Sequence, residues 1–157
     1  GVDTAEVALW IREYTNGYPF LVSRLCQLMD EQDDWSHEGF LNAVKALLNE
    51  HNTLFDDMVK KIEQFPDLKL LLKEQLFSGE SRKYNPDNKA LQLAERFNII
   101  CIHDNTFSLV CRIMETRIYE YFMAEEYESE IYTAGSIEKP QFIKGDGLDM
   151  QLLLSLD

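Results

Sequence analysis

Basic residues are scarce. Fifteen Lys and Arg stand against 28 Asp and Glu, a net charge of −13. That balance opposes nonspecific attachment to nucleic acid or to an anionic membrane, because both depend on neutralising phosphates. Cysteine is also sparse. Cys26, Cys101 and Cys111 are odd in number, form no CxxC pair and have no His or acid cluster beside them. This argues against a disulfide framework or a zinc site and predicts buried free thiols in a reducing, cytoplasmic setting. Long apolar runs are lacking. Leu70-Leu71-Leu72 and residues 98–102 are far too short to span a bilayer, and no signal-peptide pattern is visible, so no membrane partner is expected.

Catalytic signatures are missing as well. There is no G-x-x-x-x-G-K-[ST] phosphate loop, so this chain alone cannot cradle a nucleotide. There is no G-x-S-x-G elbow and no H-E-x-x-H pair. His37, His51 and His103 are scattered, and the acid pairs Asp33-Asp34, Asp56-Asp57 and Glu125-Glu126 read as surface charge or helix ends. The expectation is a chain with no catalytic residue, no metal site and no cofactor of its own.

What is present is a helical pattern. A hydrophobic share of 45% over 157 residues is enough for one domain or two small ones. Asp3 and Glu6 resemble a capping box before Val7, Trp10, Ile11 and Tyr14 at helical spacing. Gly17 ends that helix, and Pro19 opens the next, striped by Leu21, Leu25 and Leu28. Ser36 caps a third helix with Phe40, Val44 and Leu47 inward. Thr53 is expected to cap a fourth, Phe65-Pro66 to break it, and a fifth to run over 67–77. Asn85-Pro86 reads as N-cap and first turn of a sixth. The period changes at Ile99: residues 99–103 and 106–110 are strand-like, joined by Asp104-Asn105 as a tight turn. A seventh helix carries Ile113, Met114, Ile118, Tyr121 and Phe122. After Glu125 the pattern fades, and 126–147 reads as an extended connector packing through Tyr127, Ile131, Tyr132 and Phe142, with a last short helix near Leu148. The apolar pattern stops unfinished at Leu156-Asp157, as expected for a piece of a longer chain.

The fold class that follows is mainly α, three helices and then a winged-helix order of three helices with one small β-hairpin. The divisions are 1–52, 53–125 and a connector over 126–157. Charge is uneven along this plan. From residue 120 onward nine acids face only Lys139 and Lys144. Residues 79–98 hold Arg82, Lys83, Lys89 and Arg96 against Glu80, Asp87 and Glu95. Any nucleic-acid surface belongs in that second window, where Lys89, Gln92 and Arg96 point outward from the sixth helix and Arg82-Lys83 precede it.

The most informative stretch is Thr15-Asn16-Gly17-Tyr18-Pro19, joining two helices. Read from its chemistry alone, it is a helix end followed by a helix start. It also resembles the T-x-G-x-P turn in the helical lid of signal-transducing AAA-like ATPases. Tyr84-Asn85-Pro86-Asp87-Asn88, Ala94-Glu95-Arg96-Phe97-Asn98-Ile99-Ile100 and Arg112-Ile113-Met114-Glu115-Thr116-Arg117-Ile118-Tyr119 follow in the same order. With Ile131-Tyr132-Thr133-Ala134-Gly135 and Gln141-Phe142-Ile143, the series resembles bacterial and archaeal AAA-like ATPases that carry a C-terminal PD-(D/E)XK nuclease-like domain.

The resemblance implies a non-catalytic lid, winged helix and connector. Its partners would be an N-terminal ATPase core and a C-terminal nuclease-like domain of the same parent chain. ATP and Mg²⁺ belong to the parent, whose phosphate-loop Lys would lie upstream of Gly1 and whose nuclease carboxylates would lie beyond Asp157. Gly17 and Pro19 match the adenine-side motif, and Arg24, just beyond on the same helix, is placed to reach a phosphate. Two other readings stay open: a winged-helix DNA-binding regulator with a weak DNA surface, and a protein-interaction adaptor with no nucleotide role.

Overall fold

A computed structural model describes residues 3–78 and 82–137. It is mainly helical, with seven helices and a small antiparallel sheet among the described residues. The chain divides into two compact units, the first ending at Tyr119 and the second beginning at Glu120.

In the first unit α1 (Thr4–Thr15), α2 (Pro19–Gln32) and α3 (His37–Leu48) pack on one another. Each starts where its chemistry demands. The Asp3 carboxylate accepts from the N–H groups of Ala5 and Glu6, Pro19 fills the first position of α2, and the Ser36 hydroxyl accepts from Gly39 N–H at 3.1 Å. Val7, Ile11, Leu21, Leu25, Met29, Phe40, Ala43 and Leu47 form the buried seam. Trp10, Tyr14 and His37 close it at one side, their rings 5.8, 5.1 and 6.1 Å from that of Phe40.

α4 (Thr53–Gln64), α5 (Pro66–Ser78) and α6 (Lys89–Arg96) follow, then β2 (Ile100–His103) and β3 (Thr106–Leu109). Period-2 alternation turns Ile100, Phe107 and Leu109 inward over Leu68, Leu72, Leu91 and Ala94. Asp104 and Asn105 both take positive φ, 48° and 50°, which is the tight hairpin turn expected of them.

The structure alters several local readings. The cap of α4 is Asn52, whose side chain accepts from Phe55 N–H at 2.9 Å, and Thr53 is the first helical residue. α6 begins later than Asn85-Pro86. Asn88 caps it, while Asn85 closes a turn by accepting from Asp87 N–H. The hairpin gains a third, two-residue strand, β1 (Arg82–Lys83), giving the order β1-β3-β2. Two charged residues carry no alternation from which a strand can be read.

The last described helix, α7, runs over Arg112–Ile137. The connector expected from residue 126 is therefore helical as far as Ile137. Glu126, Glu128 and Glu130 favour helix there, and Tyr127, Ile131 and Ala134 recur at helical spacing. In the second unit Tyr121 donates to Glu125, one turn on, at 3.1 Å. Phe142 and the short helix expected near Leu148 lie outside the described residues. No helix among the described residues is long and apolar enough to cross a membrane.

Candidate functional site: the α1–α2 turn and its cleft

The turn between α1 and α2 is built by side chain and backbone together. Thr15 is completely buried. Its hydroxyl donates to Ile11 C=O at 2.7 Å and accepts from Gly17 N–H at 3.1 Å. Asn16 takes a left-handed conformation, φ 52°, and its N–H reaches back to Arg12 C=O. Gly17 follows with φ 77°, and Tyr18 N–H donates to Thr15 C=O at 3.0 Å. Two successive residues at positive φ reverse the chain within one turn, and Pro19 then starts α2 with its own φ fixed. Gly17, Pro19 and Phe20 are all exposed at the tip.

Beside this tip lies a cleft of about 350 Å³ lined by Thr4, Val7, Ala8, Ile11, Arg12, Gly17, Val22, Cys26 and Trp35. Its wall is almost wholly apolar, although Thr4 and Arg12 are among the residues that line it. Of the three residues singled out from sequence, Gly17 lines the cleft and Pro19 stands two residues away. Arg24 does not line it. Its guanidinium grips Glu50, Nε 3.0 and 3.1 Å from the two carboxylate oxygens and Nη2 2.9 Å from one of them, and Asn52 adds a third donor at 3.1 Å. Hydrogen bonding by Arg24 holds the Glu50 carboxyl below the usual range, with partial burial opposing. In this arrangement Arg24 ties α2 to the α3–α4 junction.

Asn16, Tyr14 and Glu13 were not singled out as site residues, yet they join the turn to a distant segment. Asn16 Nδ2 donates to Val110 C=O at 3.2 Å. The Arg112 guanidinium lies 4.2 Å from the centre of the Tyr14 ring and 3.9 Å from the Glu13 carboxylate. The turn thus touches the point where β3 passes into α7. Contacts 94 residues apart leave no mark in local sequence patterning.

The five residues proposed for DNA cluster loosely around α6. Lys83, Lys89, Gln92 and Arg96 are exposed and Arg82 half-exposed. Carboxylates interleave with them. Arg82 sits 4.0 Å from Glu74, Lys89 shares a hollow with Asp67 and Glu74, and Glu95 accepts from the Tyr84 hydroxyl at 2.8 Å on the same face. Gln92 is turned back to donate to Pro86 C=O. The cysteines differ from expectation too. Cys111 is buried, its thiol pushed up by burial, but Cys26 and Cys101 are only half-buried. Among the described residues no three His, Cys, Asp or Glu side chains gather as a metal site.

Comparisons with protein-family models, with curated proteins and with solved structures returned no match.

Proposed function

We propose that this chain is the lid and winged-helix part of an AAA-like ATPase, and that the turn Thr15–Pro19 reads the nucleotide held by the rest of the parent. The observation that supports this most is the pairing of a stiff Gly17-Tyr18-Pro19 tip, exposed at Gly17 and Pro19, with an apolar cleft beside it. A purine base buries well against a flat apolar ring, and Pro19 offers one with little side-chain entropy to lose. Arg12, which lines the cleft, is a suitable partner for a phosphate or ribose oxygen. The contacts of Asn16 and Tyr14 with Val110 and Arg112 give a route by which movement of the tip reaches the hairpin and α7. The winged-helix part then serves to transmit or to pack, with DNA a weak partner at most, because carboxylates interrupt its basic residues.

The test is nucleotide affinity of the full-length protein, wild type against Pro19→Ala. Loss of the ring contact should weaken binding by about 1 kcal/mol, roughly fivefold, with the melting temperature little changed. Equal affinities would leave the turn as helix punctuation alone.

A further inference from the structure

The outward face of the hairpin carries a second cluster. Cys101 and His103 are two apart on β2, so both side chains leave the same face of the sheet. Ser108 lies directly opposite Cys101 in the antiparallel register, and Thr106 opposite His103. Cys101 Sγ is 3.2 Å from His103 Nε2 and 3.6 Å from Ser108 Oγ. Cys101 is half-buried, while His103 and Ser108 are exposed. Ile100, Phe107 and Leu109 of the same strands face the other way into the core, and Ile102 on that side is left exposed. A thiol is therefore presented to solvent with an imidazole in hydrogen-bonding reach and a hydroxyl beside it. Nothing in the fold requires this, since a strand face exposed to water is served equally well by Ser or Thr.

We propose that Cys101 and His103 form a redox-reactive thiol site, oxidised by hydroperoxides to a sulfenic acid and restored by small thiols. In the tautomer with its proton on Nδ1, His103 Nε2 accepts the proton of the Cys101 thiol. The thiolate, with Ser108 able to donate to it, attacks one peroxide oxygen. An S–O bond forms and the O–O bond breaks. The leaving oxygen takes the proton from Nε2 and departs as water or alcohol. Sulfur gives up two electrons and the peroxide gains them. A small thiol then displaces the sulfenic oxygen as water to give a mixed disulfide. A second small thiol attacks that disulfide, returning the Cys101 thiol and releasing the oxidised small disulfide. Each adduct projects from the exposed face of the sheet, so the core need not open to admit it.

Cys26 and Cys111 supply internal controls. Cys26 is equally half-buried but lines the apolar cleft, and Cys111 is buried. The experiment treats the folded 157-residue chain with dilute hydrogen peroxide and a sulfenic-acid trap, then reads each cysteine by peptide mass spectrometry. The expected result is trapping at Cys101 about tenfold or more faster than at Cys26, reversed when glutathione is added before the trap. His103→Gln should slow Cys101 by about tenfold while leaving Cys26 unchanged. Equal rates at Cys101 and Cys26 in the wild type, or an unchanged Cys101 rate in His103→Gln, would overturn the proposal. The wild-type comparison stands without any variant, and circular dichroism confirms that His103→Gln is folded.

Discussion

Two glycines carry different burdens. Gly17 is needed for its backbone: at φ 77° a β-carbon is strained, although nothing lies within 4 Å to collide with it. Gly17→Ala should cost on the order of 1 kcal/mol. Gly39 is needed for space. A β-carbon there would come within 2.3 Å of the Asp34 carbonyl oxygen and 2.5 Å of its carboxyl carbon. Gly39→Ala should cost about 1–3 kcal/mol, because a backbone atom cannot swing aside as a side chain can. Denaturant melts of the two variants check both values, and the ordering Gly39→Ala worse than Gly17→Ala is the sharper forecast. Gly17 was legible from its place before a proline. Gly39 was not, since the close approach comes from a loop that folds back over the first turn of α3.

Glu50 gives a pH dependence with a definite sign. Its folded value is depressed, so its contribution is fully present above the ordinary carboxylate range and is lost as pH falls through the lower folded value. Glu50→Gln should lower stability by about 1 kcal/mol near neutral pH. The gap from wild type should narrow as pH drops below about 4. Thermal melts across that range test it; a gap that stays constant with pH would assign the effect to packing. Arg24 shows the limit of reading one residue at a time. Its place on an amphipathic helix was visible, but its partner 26 positions away was not.

At the scale of elements, capping chemistry and helical spacing were enough to locate the seven helices among the described residues, and the hairpin. Boundaries slipped where two polar residues competed. Asn52 and Thr53 both suit a cap, and so do Asn85 and Asn88; which one serves depends on where the next apolar residue must point. β1 escaped because it is too short to show a period, and the far end of α7 because Gly135 and Ser136 interrupt the spacing of Tyr127, Ile131 and Ala134. The α6 surface yields a further prediction. With carboxylates among its basic residues and a net charge of −13, the chain should bind duplex DNA weakly at physiological salt. What binding there is should fall steeply as salt rises, and Lys83→Ala, Lys89→Ala and Arg96→Ala should each reduce it. Fluorescence anisotropy at several salt concentrations reads this directly. Tight, salt-insensitive binding would make the regulator reading the better one.

For the whole molecule, the proposed function is a response to a ligand that this chain does not hold alone. The chain has no phosphate-binding loop, so the isolated protein should neither hydrolyse ATP nor bind it with micromolar affinity, which calorimetric titration can check. The α1–α2 tip is stiff, exposed and linked to the start of α7 through Asn16 and Arg112. The helical plan of the molecule could be read from sequence, because caps and periodicity are local. The cleft could not, because it is made by Val7, Val22 and Trp35 converging from two helices and a loop. The most direct test is an experimental structure of the full-length protein with nucleotide bound. The Pro19 ring should lie within about 4 Å of the base, with Gly17 still at positive φ. A base seated elsewhere, with Pro19 touching only solvent, would contradict it.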